Sequence, residues 1–406
     1  MDRSFSSTPS DSTYSDNFPR PEDRFAGFNP YDVPSPCYVL DRAYLRRNAR
    51  ILGRLQKDTN CKILLALKAF AAWQVFDDLK GNLAGTCASG LNEAKLATKH
   101  FGGEVHVFSP GFDSLTFPSI LEIADHVSFN SLSQWQRFGS EALATEGPRV
   151  SCGLRINPQC RVAEHTIYDP SAPRSRFGIL ASEFGESLPP GVEGLHVHNL
   201  CEQSLDPLVK TVQAMERDFG HLLPSLQWLN LGGGHLLTRD DYEVSGLVQL
   251  LRRLQADYGI EIYLEPGEAV VDNAGVFVTT VLDVIERGPN SVAILDASAT
   301  CHMPDVLEMP YRPALWDSWG EREQPHSYRI GGNTCLSGDF FGTYTFPEPL
   351  LVGQRLVFDN EAMYTMVKTS TFNGLPLPSI ATWDSDTEEL EVARTFGYED
   401  YESRLS

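Results

Sequence analysis

Eight short apolar runs recur along the middle of the chain, each closing on small or polar residues and separated from the next by a longer interval. They are KILLALKAF (62 to 70), LAGTCASG (83 to 90), EVHVFSPG (104 to 111), HVSFNS (126 to 131), VSCGLRINP (150 to 158), GLHVHN (194 to 199), WLNLGGG (228 to 234) and EIYLEPGE (261 to 268). Runs of this length read as buried strands. Intervals such as LNEAKLATKHF, LSQWQRFGSEAL, LDPLVKTVQAMERDF and VSGLVQLLRRLQADYG are amphipathic with helical spacing. Eight strand-helix units in a row predict an α/β fold, a closed (β/α)8 TIM-type barrel whose chemistry gathers at the C-terminal ends of its strands. An open doubly wound sheet also alternates, but it needs a switch point and usually fewer strands. No strand carries G-x-G-x-x-G, so a nicotinamide-type cofactor has no support.

The flanks read differently. After Gly267, segments such as GVFVTTVLDVIE, SVAILDAS, YRIGG, RLVFDN and YTMVKTSTFNG are strand-like and separated by Pro and Gly. They predict a C-terminal all-β domain over 271–406, joined by the early strand CYVLD within 31–46, with the barrel over 47–270. Residues 1–30 are rich in Ser, Asp, Thr and Pro without periodicity and read as a disordered tail. No apolar stretch approaches the length of a bilayer span, and the N-terminus lacks the basic-then-apolar order of a secretory signal. A cytoplasmic protein with no membrane partner is expected.

The net charge of -21 argues against nucleic acid, because a polyanion is repelled by a surface of that sign. It is compatible with a cationic substrate, although an acidic balance also simply keeps a protein in solution. The eight cysteines are scattered, with no C-x-x-C pair, and read as reduced thiols without a metal.

The strand ends hold the chemistry-bearing residues. Strand one finishes in Lys68, strand six in His196-Val197-His198, strand seven in Gly232-Gly233-Gly234, and strand eight in Glu265-Pro266-Gly267-Glu268. Each has a plain reading: a solvent-reaching lysine, partly buried histidines or a metal pair, a flexible turn. A buried ammonium or carboxylate is costly unless paired or covalently used. Three glycines after a strand let backbone N–H groups close around a phosphate. An imine-forming lysine, a phosphate cradle and a carboxylate that holds a protonated ring nitrogen are together what pyridoxal 5'-phosphate requires.

At this point the chain resembles a known family. SPCYVLD, CKILLALKAF, GTCASGLNEAKLA, GLHVHNLCEQ, WLNLGGGH, YLEPGEAV, GGNTCLSGDF and NEAMYT look like the motifs of carboxynorspermidine (carboxyspermidine) decarboxylases. These are alanine-racemase-fold decarboxylases, related to the ornithine and diaminopimelate enzymes. The likeness runs from about residue 33 to about residue 378. It implies that Lys68 bonds the cofactor's aldehyde, His198 stacks on its ring, and Glu265 pairs with the ring nitrogen. Gly232, Gly233, Gly234 and Tyr364 would hold the phosphate. Cys335 resembles the cysteine that the partner subunit of a homodimer supplies to return a proton, and Asp339 the ligand of the substrate's distal amine. The implied reaction is decarboxylation of carboxynorspermidine or carboxyspermidine to a polyamine.

One departure stands out. The ornithine and diaminopimelate branches commonly carry Arg after E-P-G, where this chain has Glu268. An anion there favours a substrate with additional positive charge. Asp305 is a second candidate amine ligand, or else a solvated loop residue. Other readings are decarboxylation of diaminopimelate, ornithine or arginine, a pyridoxal-phosphate carrier without turnover, and a metal-dependent barrel hydrolase using the HVH pair. The carrier lacks a C-terminal β-domain, and the hydrolase places H-x-H on the first strand with a lysine later, the reverse of the order here.

Overall fold

In the computed structural model, which describes residues 24–144, 149–163, 165–288, 291–320 and 324–406, the chain falls into two units. The first holds Arg47–Ala69 and Val75–Val270, and the second holds Phe70–Gln74, Val271–Ser406 and the segment ending at Arg46. The first strand of the chain, β1 (Cys37–Asp41), belongs to the second unit.

The first unit is a closed barrel. Its strands are β2 (Lys62–Ala66), β3 (Gly85–Ala88), β4 (Glu104–Ser109), β5 (His126–Phe129), β6 (Ser151–Arg155), β7 (Val192–His196), β8 (Trp228–Asn230) and β9 (Glu261–Leu264). Neighbours pair in parallel in chain order, and β2 pairs β9 to shut the ring. Large and small residues interlock inside it. A side chain on Gly194 would stand 2.1 Å from the Trp228 ring and one on Gly153 2.2 Å from it, so two glycines on adjacent strands make room for one indole. That indole donates through Nε1 to Ser151 Oγ at 2.8 Å.

Helices Leu91–His100, Leu132–Leu143, Leu205–Phe219 and Val244–Tyr258 fall on the four intervals with helical spacing. The third buries Leu208, Val212, Met215 and Phe219, one stripe at steps of three and four. Between β6 and β7, however, the described residues form only the 3-10 turns Thr166–Tyr168 and Ala181–Glu183, so this crossover is not the strand-helix unit the alternation predicts. Pro158, Pro170, Pro173, Pro189 and Pro190 punctuate it, each removing a backbone donor from any helix.

The strand starts carry a polar network at the face opposite the strand ends. Lys62 Nζ lies 2.6 Å from Glu104 and 3.0 Å from Glu261. Glu104 Oε2 is 3.2 Å from His106 Nε2, and the His106 and His126 rings stack at 4.0 Å.

The second unit adds strands β10 (Gly275–Ile285), β11 (Val292–Leu295), β12 (His326–Gly331), β13 (Phe340–Phe346), β14 (Arg355–Asp359), β15 (Ser379–Asp384) and β16 (Glu389–Arg394). Their sheet order is β13-β12-β11-β10-β1-β15-β16, with β14 on β10. β1 runs antiparallel to β10 and parallel to β15, and all five of its residues are buried: four because they are apolar, and Asp41 because it accepts from the N–H groups of Phe25 at 2.9 Å and Ala43 at 3.0 Å. Tyr38, Phe277, Phe341, Tyr344 and Phe358 fill the core. Two expectations shift here. The stretch YTMVKTSTFNG, strand-like by composition, forms the helix Thr365–Lys368 and the turn Phe372–Gly374. The tail expected over 1–30 lies outside the described residues up to 23, and from Arg24 the chain is built in. Phe25, 5% exposed, packs with Val39, Val276 and Trp383, and its N–H donates to Asp41 Oδ2 at 2.9 Å, so burial and a hydrogen bond together offset the cost of ordering the segment. Among the described residues no helix is long and apolar enough to cross a membrane.

Candidate active site

Beyond β2 the chain bends sharply: Ala69 N–H donates to Ala66 O at 3.1 Å. Lys68 rides this bend, its side chain exposed in the barrel mouth. The protein wall around it still strips enough water to push its ammonium pKa down, helped by the Arg155 charge and opposed by Cys87 and Glu265. Its Nζ lies 3.3 Å from Nε2 of His198.

His198 is held at two further points. Gly233 N–H donates to its Nδ1 at 3.1 Å. Its backbone carbonyl accepts from Arg155, at the end of β6, at 2.8 Å. Arg155 is 4% exposed and its guanidinium lies 4.5 Å from the Phe108 ring and 4.4 Å from the Phe177 ring, which shields one cation with two aromatic faces. Burial first, then the Lys68 and Arg155 charges, keep the His198 imidazole neutral, well below its ordinary range.

Glu265 follows β9. Its N–H donates to Gly232 O at 2.7 Å, its Oε1 accepts from Asn230 Nδ2 at 2.7 Å, and its Oε2 lies 3.5 Å from His196 Nε2. Burial raises the carboxyl pKa, but His196, His106, the Asn230 amide and Lys68 outweigh it and hold the group below its ordinary value. Glu265 is therefore a carboxylate at neutral pH. His196 is pushed down to about 4, chiefly by burial. The HVH pair thus divides, His196 toward Glu265 and His198 toward Lys68.

The glycine run packs where nothing larger fits. A side chain on Gly233 would stand 2.1 Å from Glu265 O, and one on Gly234, at φ +87°, 2.1 Å from Leu200 O. Among the described residues the Gly234 N–H donates to no protein acceptor. An amine, a carboxylate and an open backbone donor beside a positive-φ glycine loop thus gather at one strand-end face. That donor set fits an aldehyde, a protonated ring nitrogen and a phosphate.

Glu268 opens the short helix Glu268–Val271 directly after Gly267, whose Cβ position is closed by Ala69 at 2.5 Å. The remaining predicted residues lie in the second unit. Cys335 is exposed, its N–H donating to Asn373 Oδ1 at 2.7 Å. Asp339 is 3% exposed and spends its carboxylate on Thr300 N–H (3.1 Å) and the Thr334 hydroxyl (2.5 Å), closing the loop that carries Cys335. Asp305 pairs with Lys368 Nζ at 2.7 Å. Tyr364 sits at φ 52°, a strained conformation for an aromatic residue.

Sequence reasoning missed Arg155 and Asn230. Their signals were a charged and an amide residue at the ends of otherwise apolar strands, SCGLR and WLN. Among the described residues, Glu104, His106 and His126 bring ligating atoms within 4.8 Å of one another. Their imidazole planes are 11° from parallel, so both rings cannot aim a lone pair at one ion, and Glu104 already pairs with Lys62.

The family model described as pyridoxal-dependent decarboxylase, C-terminal sheet domain, matches residues 37–362. The chain is 43% identical to carboxyaminopropylagmatine decarboxylase of Synechocystis sp. over 92% of this chain and 96% of that one. It is 36% identical to carboxynorspermidine/carboxyspermidine decarboxylase of Campylobacter jejuni over 92% and 98%. The crystal structure of carboxynorspermidine decarboxylase from Campylobacter jejuni, complexed with norspermidine, superposes with a TM-score of 0.84, covering 92% of this chain and all of that one at 36% identity.

Proposed function

Because the chain belongs to the pyridoxal-dependent decarboxylases, we propose that it decarboxylates carboxynorspermidine or carboxyspermidine in polyamine biosynthesis, with Lys68, His198, Glu265 and the Gly232–Gly234 loop as its cofactor site. The observation that carries this is the strand-end cluster itself: Lys68 at 3.3 Å from a neutral His198, with an ionised Glu265 and the open Gly234 N–H built from the same loops. Bound pyridoxal 5'-phosphate supplies an electron sink for the carbanion left when carbon dioxide departs. Glu265 keeps a proton on the ring nitrogen, because a carboxylate beside it favours the charged form. Gly234 and its neighbours receive the phosphate, with Tyr364 as a further phosphate ligand. His198 would support the ring face, and Lys68, whose ammonium pKa is pushed down chiefly by loss of water around it, would bond the aldehyde and later pass a proton.

Glu268 meets the substrate's internal ammonium, and Asp305 a more distal one in exchange for Lys368. Asp339 anchors the Cys335 loop, and Cys335, offered by the partner subunit of a homodimer, returns the proton to the α-carbon. The working site is cytoplasmic in this reading.

A second substrate is favoured by a specific observation: the relative from Synechocystis sp., at 43% identity, is named for carboxyaminopropylagmatine. All three candidates share an α-amino acid joined through a secondary amine to a terminal cation. A carbon dioxide release assay on the cofactor-loaded protein decides, offering the three in parallel with diaminopimelate, ornithine and arginine. Turnover confined to the carboxylated polyamines is expected, and its rates rank the amine against the guanidine terminus. Turnover of diaminopimelate or ornithine alone would overturn the substrate assignment.

A further inference from the structure

We propose that Asn230 is a positioning residue that ties Glu265 to the glycine loop, so that one buried amide sets both the ring-nitrogen and the phosphate ends of the cofactor site. The inference rests on the roles given above to Glu265 and the Gly232–Gly234 loop.

Asn230 closes the three-residue strand Trp228–Asn230 and shares a face with Trp228, two residues earlier, inside the barrel. It is 1% exposed, so both ends of its amide need partners from the protein. Oδ1 accepts from Gly232 N–H at 2.8 Å, and Nδ2 donates to Glu265 Oε1 at 2.7 Å. The orientation is not free. A backbone N–H can be met only by the oxygen, so the nitrogen must face Glu265, and it requires an acceptor there. An ionised carboxylate satisfies that requirement; a protonated one turned the other way does not. Glu265 Oε2 faces His196 Nε2 at 3.5 Å, a ring nitrogen that is buried without another hydrogen-bond partner. Each carboxylate oxygen thus has its own nitrogen, and the Glu265 backbone is bonded to the same Gly232 through N–H to O at 2.7 Å. Gly232 lies at φ +68°, and the bond from its N–H to Asn230 holds the chain in that region at the point where the loop leaves the strand. Displacing the amide therefore disturbs two features at once, the charge on Glu265 and the direction in which the loop presents its N–H groups.

Two variants separate these effects. Asn230→Asp has the same shape and keeps an acceptor for Gly232 N–H, but faces Glu265 with a second carboxyl group that must share a proton with it. Asn230→Leu removes both bonds. Purified apoprotein is reconstituted with pyridoxal 5'-phosphate and, separately, with pyridoxal. The dissociation constants and the absorbance of the bound chromophore are recorded across pH. The Leu variant is expected to bind pyridoxal 5'-phosphate about 30- to 1,000-fold more weakly, the scale of losing one neutral and one charge-assisted hydrogen bond. The Asp variant is expected to keep its phosphate preference over pyridoxal while its chromophore gains a pH-dependent transition above about pH 5, where the shared proton leaves. The wild type is expected to show no such transition. A purely structural asparagine would move affinity and melting temperature in both variants and leave the pH profile unchanged. Should the Leu variant fail to fold, the isosteric Asp variant decides alone. Glu265→Gln runs beside them. If it alters the spectrum and Asn230→Asp does not, the coupling through Asn230 is wrong while the cofactor site stands; if neither alters it, the role given to Glu265 falls as well.

Discussion

The Nε2 of His198 stands 3.3 Å from Nζ of Lys68, and the proton at that contact is fixed from the far side of the ring. Gly233 N–H donates to Nδ1, so the neutral imidazole carries its hydrogen on Nε2. A hydrogen bond from there to Lys68 needs a lone pair on the amine. The pKa values of both groups are lowered, first by loss of water around them, which is the direction that arrangement calls for.

In the function proposed above, Lys68→Ala removes the covalent attachment while leaving the Glu265 and glycine-loop ends of the site in place. Borohydride is expected to fix the cofactor to the wild-type protein and not to the variant, as read by mass spectrometry of the denatured chain. Decarboxylation should fall by at least about 10²- to 10⁴-fold, the worth of a positioned proton-transfer group alone. Covalent cofactor on the alanine variant after reduction would show that another amine does this work.

Glu268 begins its short helix immediately past Gly267. Glu268→Arg is expected to lower kcat/KM for the carboxylated polyamine by roughly 5- to 30-fold, about 1–2 kcal/mol for reversing one partly screened charge near a cationic substrate. Cofactor affinity should move far less, because Glu268 is proposed as a ligand of the substrate and not of the cofactor. Equal kcat/KM values for the two proteins would remove Glu268 from substrate recognition.

The barrel was legible because each strand is a short, mostly apolar run, and eight of them in series leave few ways to close. That Lys68, His198 and Glu265 come together at the strand ends was legible for a related reason: a polar group at the end of such a run is costly and marks a candidate site. Arg155 and Asn230 were not, because their meaning lies across strands. Arg155 matters through the His198 carbonyl, 43 residues away, and Asn230 through Glu265, 35 residues away. Composition misread YTMVKTSTFNG, whose β-branched residues suit a strand, because it cannot register the local hydrogen bond from Lys368 N–H to Tyr364 O that makes a helical turn. The missing helix after β6 was written in five prolines, but the regular rhythm on either side concealed it.

Acid stability tests the interior more broadly. Burial pushes His126 down to about 3, and His196, His235 and His302 each to about 4, from an ordinary 6.5. Between about pH 6.5 and pH 4 the unfolded chain takes up protons at these sites that the folded chain refuses. Unfolding is then coupled to proton uptake, and stability falls as pH falls, each site adding about 1.4 kcal/mol per pH unit while the difference in protonation is complete. Glu104 acts lower. Burial raises its pKa, but His106 and Lys62 prevail and hold it at about 2, so its contribution is full above an ordinary 4.5 and is lost only as pH drops through that range toward 2. The melting temperature of the cofactor-free protein should accordingly decline steadily from pH 7.5 to 4.5. His126→Phe keeps a ring against His106 and Trp228 but cannot titrate, and should flatten that decline by about one proton's worth. A melting temperature independent of pH over this interval would mean that the buried imidazoles are already paired with their protons in the folded chain.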